Sequence, residues 1–428
     1  MIHIFRVVVM SDTTNKPLDQ IIMKTRILFL TALIIVSQSV LADSGDSTRT
    51  APFHLSFITP LGTNGLESWN TTNNLSVNIF AGFSGGLNGI EFAGFANALK
   101  GDMKGVQFAG FCNNTFGGAE GAEIAGFWNY NQKWVKGFQA AGFSNVAIDY
   151  VDGFQASGFA NYADGVSFGQ FSGFANLSTD KTSGMQAAGF TNVTVGDMKG
   201  VQGAGFANMT VGDHTGVQAS GFTNITTGRT KGMQASGFFN YTKKLSGVQL
   251  GVFNYADSVE SGMPIGFLSF VKNGYLALEI GGNESLLGTM SIKTGVKRFY
   301  NIISIGASIR GDRLLWGWGY GIGSQLPVAK RMDLSLEAIS YHLNEDAWYS
   351  GDINLLNRAS ATLSYNLNSR FSVYAGPALN VWLANVNKDG VPYTEAPIDK
   401  WAMYTKARNR TEVTIYPGLS VGIRIKMD

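Results

Sequence analysis

The stretch GMQAAGFTNVTVGDMKGVQGAGFANMTVGDHTGVQASGFTN, from Gly184 to Asn224, decides how the fold is interpreted. The same nine-residue phrase, Gly-apolar-Gln-x-Ala/Ser-Gly-Phe-x-Asn, recurs here at a spacing of 16 residues. The Asn that closes each copy falls at 97, 113, 129, 145, 161, 176, 192, 208, 224, 240 and 254. Such a regular period indicates one supersecondary unit repeated many times.

Each unit has the alternation of a β-strand. In the copy that starts at Gly200, Val201, Gly203 and Ala207 have one parity. The residues of the other parity include Gln202, Phe206 and Asn208. Strict alternation over 10 to 12 positions predicts a strand, and turn residues such as Gly212-Asp213 fill the rest of each repeat.

Two architectures are compatible with this strand. A straight strand of about 11 residues is roughly 36 Å long, whereas the four or five remaining residues reach at most about 17 Å. A parallel solenoid coil therefore closes only if the strand bends at the Gly-Phe step. An antiparallel meander needs no bend, and its strand length suits a bilayer-spanning barrel. We therefore expect the meander, although consecutive repeats share the same turn type, which is natural in a solenoid.

The N-terminus predicts export. Met23-Lys24-Thr25-Arg26 precedes the apolar run Ile27 to Val36, and the small residues Val40-Leu41-Ala42 follow. This order is typical of a cleavable secretory signal peptide, with Met23 as the true start and residues 1–22 as an upstream extension. We divide the rest into entry strands (43–88), the repeat array (89–271) and C-terminal barrel strands (272–428).

The C-terminal part alternates without repeating. Short turns at 272–274, 297–298, 329–330 and 368–369 are interleaved with links that lengthen toward 344–355 and 386–411. Short turns on one side and long loops on the other are typical of bacterial outer-membrane barrels. The segment 371–383 places Phe, Val and Leu on one face and Ser, Asn and Trp on the other. Counting all segments gives about 22 strands.

The predicted fold class is therefore all-β, an antiparallel meander closing into one outer-membrane β-barrel. The alternative is a β-solenoid of 16-residue repeats followed by an eight-stranded barrel at 273–428.

The repeat also carries a resemblance. The phrase from Gly153 to Asn161, GFQASGFAN, is similar to the repeat of the "surface repeat" proteins of Bacteroidota and spirochaetes. The segment Phe57 to Gly65, FITPLGTNG, is similar to the start of the Bacteroidota members. The resemblance implies an exported or outer-membrane protein and no particular activity. The chain departs from outer-membrane proteins that end in an aromatic residue, because it ends Ile425-Lys426-Met427-Asp428.

Composition excludes several functions. A formal net charge of +2 gives no electrostatic case for nucleic acid. One cysteine and four scattered histidines offer neither a disulfide nor a metal site, so no cofactor is predicted. No nucleophile–base grouping or carboxylate pair stands out, so we predict that the chain is not an enzyme.

The predicted site is a channel lumen. Stacked glutamines would form a neutral wall that guides a small polar solute, with side-chain ladders that fix strand register as the alternative. In the C-terminal strands, charged side chains would point inward. The predicted lumen residues are Gln107, Gln139, Gln155, Gln186, Gln202, Gln218, Gln234, Gln249, Glu279, Lys293, Arg310, Arg331, Asp333, Glu337, Arg358 and Arg424.

The sequence thus predicts a passive pore in the outer membrane, with outer-membrane lipid and the barrel-assembly machinery as partners. The alternative is a non-conducting, surface-exposed structural or adhesive repeat protein.

Overall fold

The computed structural model describes residues 49–310, 313–346, 348–349, 352–386, 402–408 and 410–427. The predicted extension and signal peptide, residues 1–42, lie outside these ranges. Within the described ranges, no helix has the length and hydropathy needed to cross a membrane.

The repeat array is a parallel β-solenoid of about 12 turns, so the prediction of a single antiparallel barrel is wrong. Consecutive copies pair in parallel and in register: Gln202 lies beside Gln218, and Asn208 lies beside Asn224. The alternative predicted from the sequence, a solenoid followed by a small barrel, is the arrangement found.

The physical reason is a corner at each Gly-Phe step. The expected straight strand is divided into a long strand, such as Met198–Ala204, and a short one, such as Ala207–Thr210. A Cβ on Gly205 would lie 2.1 Å from the carbonyl oxygen of Gly189 in the preceding coil, so only glycine fits this corner. Because Phe206 lies at the corner, its side chain points outside the coil, although it has the same parity as the buried Gln202 and Asn208.

A second glycine bends the long strand. Gly200 has a φ of 134°, and a Cβ there would lie 1.9 Å from the carbonyl oxygen of Gly184. An L side chain would be both strained and in collision at this position. These two glycines thus allow a 16-residue coil to close; in one repeat Phe168, with a φ of 93°, takes the position of the second glycine.

The bounds of the solenoid elements follow. The first two coils contain Arg49–Ile58, Leu61–Gly62, the 3₁₀ helix Gly65–Asn70 and Thr71–Ser84, and the first of these strands pairs in parallel with the last. The long strands are Gly86–Ala93, Met103–Ala109, Ala119–Ala125, Val135–Ala141, Val151–Ser157, Val166–Ser172, Thr182–Ala188, Met198–Ala204 and His214–Ser220. The short strands are Ala96–Leu99, Cys112–Thr115, Trp128–Asn131, Ser144–Ala147, Ala160–Ala163, Ala175–Ser178, Thr191–Thr194, Ala207–Thr210 and Leu268–Val271. Long and short strands merge in Thr223–Ser236, Phe239–Leu250 and Phe253–Ile265.

The C-terminal part is a closed antiparallel sheet of eight strands. Its strands are Tyr275–Asn283, Gly288–Val296, Phe299–Arg310, Arg313–Ala329, Met332–Glu345, Asn354–Asn366, Phe371–Asn385 and Thr411–Lys426. The first strand pairs with both the second and the last, which closes the barrel. A ninth strand, Tyr404–Arg408, pairs with the last one at its far end.

Candidate functional surfaces

The glutamines form a ladder inside the solenoid, not the wall of a channel. All eight predicted glutamines are fully buried. The side-chain amide of Gln218 donates to Oε1 of Gln202 at 2.8 Å, and Thr210 donates to the same oxygen at 3.0 Å. Because the side-chain amides hydrogen-bond from one coil to the next, these residues fix coil register, as the alternative interpretation of the sequence proposed.

The asparagines form a second ladder that runs in the opposite direction. Nδ2 of Asn208 donates forward to Oδ1 of Asn224 at 3.0 Å, whereas each glutamine donates backward. The same Nδ2 also donates to the carbonyl oxygen of Ala219 at 2.8 Å, which is close to the next corner. The two ladders therefore hold both sides of the Gly-Phe corner with neutral hydrogen bonds.

Two glutamates occupy glutamine positions in this ladder. Glu91 accepts from Gln107 at 2.7 Å, and Glu123 accepts from Gln139 at 2.8 Å. Burial raises the pKa of Glu91 to about 6 from its ordinary 4.5, although hydrogen bonds from Gln107 and Asn78 oppose this rise. Burial likewise raises the pKa of Glu123. The repeat register alone could have revealed both substitutions, but the sequence analysis did not single them out.

The outside of the solenoid carries a ridge of stacked phenylalanine rings. Ten successive ring pairs lie 4.7–5.2 Å apart with planes within 10° of parallel. Phe190, for example, remains 41% exposed despite its two stacked neighbours. We call this row the phenylalanine ridge; it contains Phe80, Phe95, Phe111, Phe127, Phe143, Phe159, Phe174, Phe190, Phe206, Phe222 and Phe238.

Charged side chains lie at the other connection of each coil. The segments 185–195, 201–211 and 217–227 contain no charged residue. The charges of these repeats lie in the turns and the adjoining strand ends, as in Asp180-Lys181 and Arg229-Thr230-Lys231. We call this side the charged edge. The solenoid is therefore amphipathic across its width.

The last coil packs on the outer wall of the barrel. The backbone N–H of Ser269 donates to Oδ1 of Asn301 at 2.8 Å, and Nδ2 of Asn301 donates to the carbonyl oxygen of Gly266 at 2.9 Å. The ring of Phe267 stacks on Tyr320 at 4.7 Å. Nothing in the sequence pattern marks Asn301 or Tyr320 as junction residues, because both lie at outward positions of ordinary barrel strands.

The barrel interior holds the charged residues. Lys293 lies 2.6 Å from Glu279, and Arg424 pairs with the same carboxylate. The hydroxyl of Tyr300 donates to Glu337 at 2.7 Å. Lys293 is 1% exposed and Arg424 is fully buried, so these charges are held in a paired network.

The other predicted charges differ in their surroundings. Arg358 is buried and donates to Oδ1 of Asn380 at 2.8 Å, and Asp333 accepts from Asn366 at 3.0 Å. Arg331 lies in an exposed turn instead of the lumen. Arg310 ends its strand, and its side chain lies outside the described part.

Glu284 is an interior residue that the sequence analysis did not single out. It pairs with Arg358 and accepts from Asn380 at 2.7 Å and from the backbone N–H of Leu419 at 2.8 Å. The link from 284 to 287 therefore folds into the barrel. A lone acidic residue after an alternating strand was the only signal for this contact.

The outer wall of the barrel is apolar. Ile303, Ile305, Val421 and Ile423 are each 48–58% exposed and point away from the ion pairs. Trp318 lies on the same wall and is 53% exposed. A water-soluble barrel instead exposes mostly polar residues on its outer wall. The interior is divided between the ion pairs and an apolar cluster that includes Leu343, Leu356 and Trp382.

No protein-family model, curated protein or solved structure matches this chain. In the described ranges, no group of three or more His, Cys, Asp and Glu side chains is arranged to hold a metal ion.

Proposed function

We propose that this chain is a membrane-anchored structural repeat protein, exported to the outer membrane, in which the barrel is the anchor and the solenoid is a rigid module. The single observation that carries the proposal is the distribution of apolar and charged side chains in the barrel. Large apolar side chains cover its outside, whereas Lys293, Glu279 and Arg424 pair inside it. An outward-facing apolar band around a polar interior is typical of barrels that span a bilayer.

The barrel is proposed as a membrane anchor and not as the pore that the sequence predicted. The channel prediction required one barrel of about 22 strands, and the strands assigned to its larger part form the solenoid instead. An eight-stranded barrel is just wide enough for side chains to fill its interior. The buried network around Arg424 and the separate contacts of Arg358 occupy that interior.

The connections between the barrel strands indicate on which side of the membrane the solenoid lies. The solenoid enters the barrel through 272–274, at the same end as the short turns 297–298 and 330–331. In bacterial outer-membrane barrels short turns face the periplasm. We therefore place the solenoid on the periplasmic side, which modifies the surface-exposed alternative predicted from the sequence.

The opposite end of the barrel is a candidate for contacts at the cell surface. The link between Glu345 and Asn354 carries Trp348 and Tyr349, which are 87% and 67% exposed. The link between Asn385 and Thr411 leaves from the same end. These two links are the candidate adhesive surface, and outer-membrane lipid and the assembly machinery are the proposed partners of the barrel wall.

The anchor is tested with fluorophores attached to the full chain in liposomes, in a Cys112→Ser background. A label at Ile305→Cys should be quenched by nitroxides on acyl chains, whereas a label at Lys330→Cys in a short turn should not. Equal quenching at the two positions would reject the anchor. Planar-bilayer recordings should be silent, and stable conductance steps would restore the channel.

A further inference from the structure

The surface of the solenoid raises a question that the anchor alone does not answer. A monomeric soluble protein rarely exposes a contiguous apolar patch of more than a few hundred Å². The phenylalanine ridge is about 50 Å long, from its ring spacings of 4.7–5.2 Å. It is flanked by further exposed apolar residues, including Phe154 (43% exposed) and Met185 (44% exposed). A surface of this size requires a covering partner.

We propose that the phenylalanine ridge is embedded in the acyl-chain region of the bilayer leaflet around the barrel, so that the solenoid lies edge-on in the membrane. This inference rests on the proposed anchor, because the barrel defines where the bilayer is. It adds a second, non-spanning membrane contact along the repeat array.

The first argument is continuity with the barrel wall. The last Gly-Phe corner of the solenoid is Gly266-Phe267, and Phe267 stacks on Tyr320 at 4.7 Å. Tyr320 belongs to the strand Arg313–Ala329, whose next outward residue toward the far end is the exposed Trp318. The corner side of the solenoid therefore meets the barrel on the wall that the anchor proposal places in lipid.

The second argument is that the backbone N–H groups of the ridge are already hydrogen-bonded. Groups that enter hydrocarbon must already be hydrogen-bonded. At the corner, the N–H of Phe206 donates to the carbonyl oxygen of Phe190 at 2.9 Å, and that of Gly205 donates to Ala188 at 3.2 Å. The N–H of Ala207 also donates to Phe190, at 3.1 Å. The same pattern repeats coil after coil, so the N–H groups along the ridge do not need water as a hydrogen-bond partner.

The third argument is the position of the charges. The charged edge, with Lys181, Asp197 and Lys231, is separated from the ridge by the seven-residue long strand, which spans roughly 23 Å. Interfacial elements bury their apolar side about 5–10 Å below the headgroups and keep charges in water. The width of a coil therefore accommodates both environments without burying a surface charge.

The test uses the full chain in liposomes and the Cys112→Ser background, with labels at Phe190→Cys on the ridge, Lys181→Cys on the charged edge and Ile305→Cys on the barrel. Acyl-chain nitroxides should quench the labels at 190 and 305 several-fold more strongly than the label at 181. Aqueous iodide should quench only the label at 181. Phe222→Cys repeats the ridge measurement if Phe190→Cys does not fold.

The outcomes separate the inference from the anchor. Quenching by acyl nitroxides at 305 but not at 190, with iodide reaching 190, would overturn the embedded ridge and keep the anchor. A label at 190 that neither quencher reaches would mean that protein covers the ridge, such as a second copy, and would also overturn the inference. No acyl quenching at 305 would reject the anchor itself.

Discussion

The solenoid and the barrel solve the same problem with different chemistry. Both bury rows of polar side chains beside an apolar cluster, which includes Met103 in the solenoid and Trp382 in the barrel, and both expose large apolar side chains. The solenoid interior uses neutral amide ladders, such as Gln202 to Gln218, whereas the barrel interior uses ion pairs, such as Lys293 with Glu279. A neutral ladder tolerates repetition, because each coil adds one identical step. An ion-pair network is specific to one place in the chain and needs all its members.

The largest effect is expected from a substitution that breaks the ion-pair network inside the barrel. Arg424→Ala should lower the free energy of unfolding by about 3–5 kcal/mol, because Glu279 loses a buried partner. Arg229→Ala removes a solenoid surface pair with Glu260 at 3.2 Å, and it should cost about 0–1 kcal/mol. Denaturant unfolding of the reconstituted chain measures both. Equal losses would mean that the barrel charges are solvated rather than paired in a dry interior.

A smaller loss is expected from one step of the asparagine ladder. Asn208→Ala leaves the Asn224 side-chain oxygen and the Ala219 carbonyl without this donor, so we expect a loss of about 2 kcal/mol. Asn114→Ala is the matched control, because its side chain lies outside the coil and half-buried; it should cost under about 1 kcal/mol. The urea midpoint of the solenoid transition distinguishes the two variants. A control as damaging as Asn208→Ala would argue against the ladder.

An effect similar in size to that of Asn208→Ala concerns the carboxylate in the neutral ladder. The folded protein binds the Glu91 proton more tightly than the unfolded chain, because burial raises its pKa from 4.5 to about 6. The stabilisation contributed by Glu91 is therefore complete below pH 4.5 and is lost as the pH rises through about 6, by about 2 kcal/mol in total. Glu91→Gln should recover that amount at pH 7 and remove this part of the pH dependence.

The control for this titration is Glu67→Gln, which removes an exposed carboxylate from the 3₁₀ helix of the first coil. Unfolding free energies between pH 4 and pH 8 provide the comparison. If Glu91→Gln leaves the pH profile unchanged, Glu91 is not the buried acid that the ladder implies.

The sequence was most informative where the chain repeats. The spacing of 16, the strand alternation and the common inward face of Gln202 and Asn208 all followed from periodicity. The inward charges of the barrel strands, such as Lys293 and Glu337, followed from parity in the same way. These features depend on residues close together in the chain, which a sequence pattern captures.

The direction of neighbouring coils could not be predicted in this way. A straight strand and a strand bent at Gly205 give the same order of polar and apolar residues over most of the repeat. Only the preceding coil shows why glycine is required there, because a Cβ at position 205 would lie 2.1 Å from the carbonyl oxygen of Gly189. The junction of Asn301 with Gly266 is similarly a contact between distant segments, without any local pattern.

The most direct test of the account is to delete one repeat, residues 184–199, which joins Ser183 to Gly200 and keeps the 16-residue register. If each repeat is one parallel coil, the variant should fold, insert its barrel and unfold with the same cooperativity as the variant lacking two repeats, 184–215. If deletion of one repeat abolishes folding while deletion of two is tolerated, the copies alternate in direction and the solenoid account is wrong.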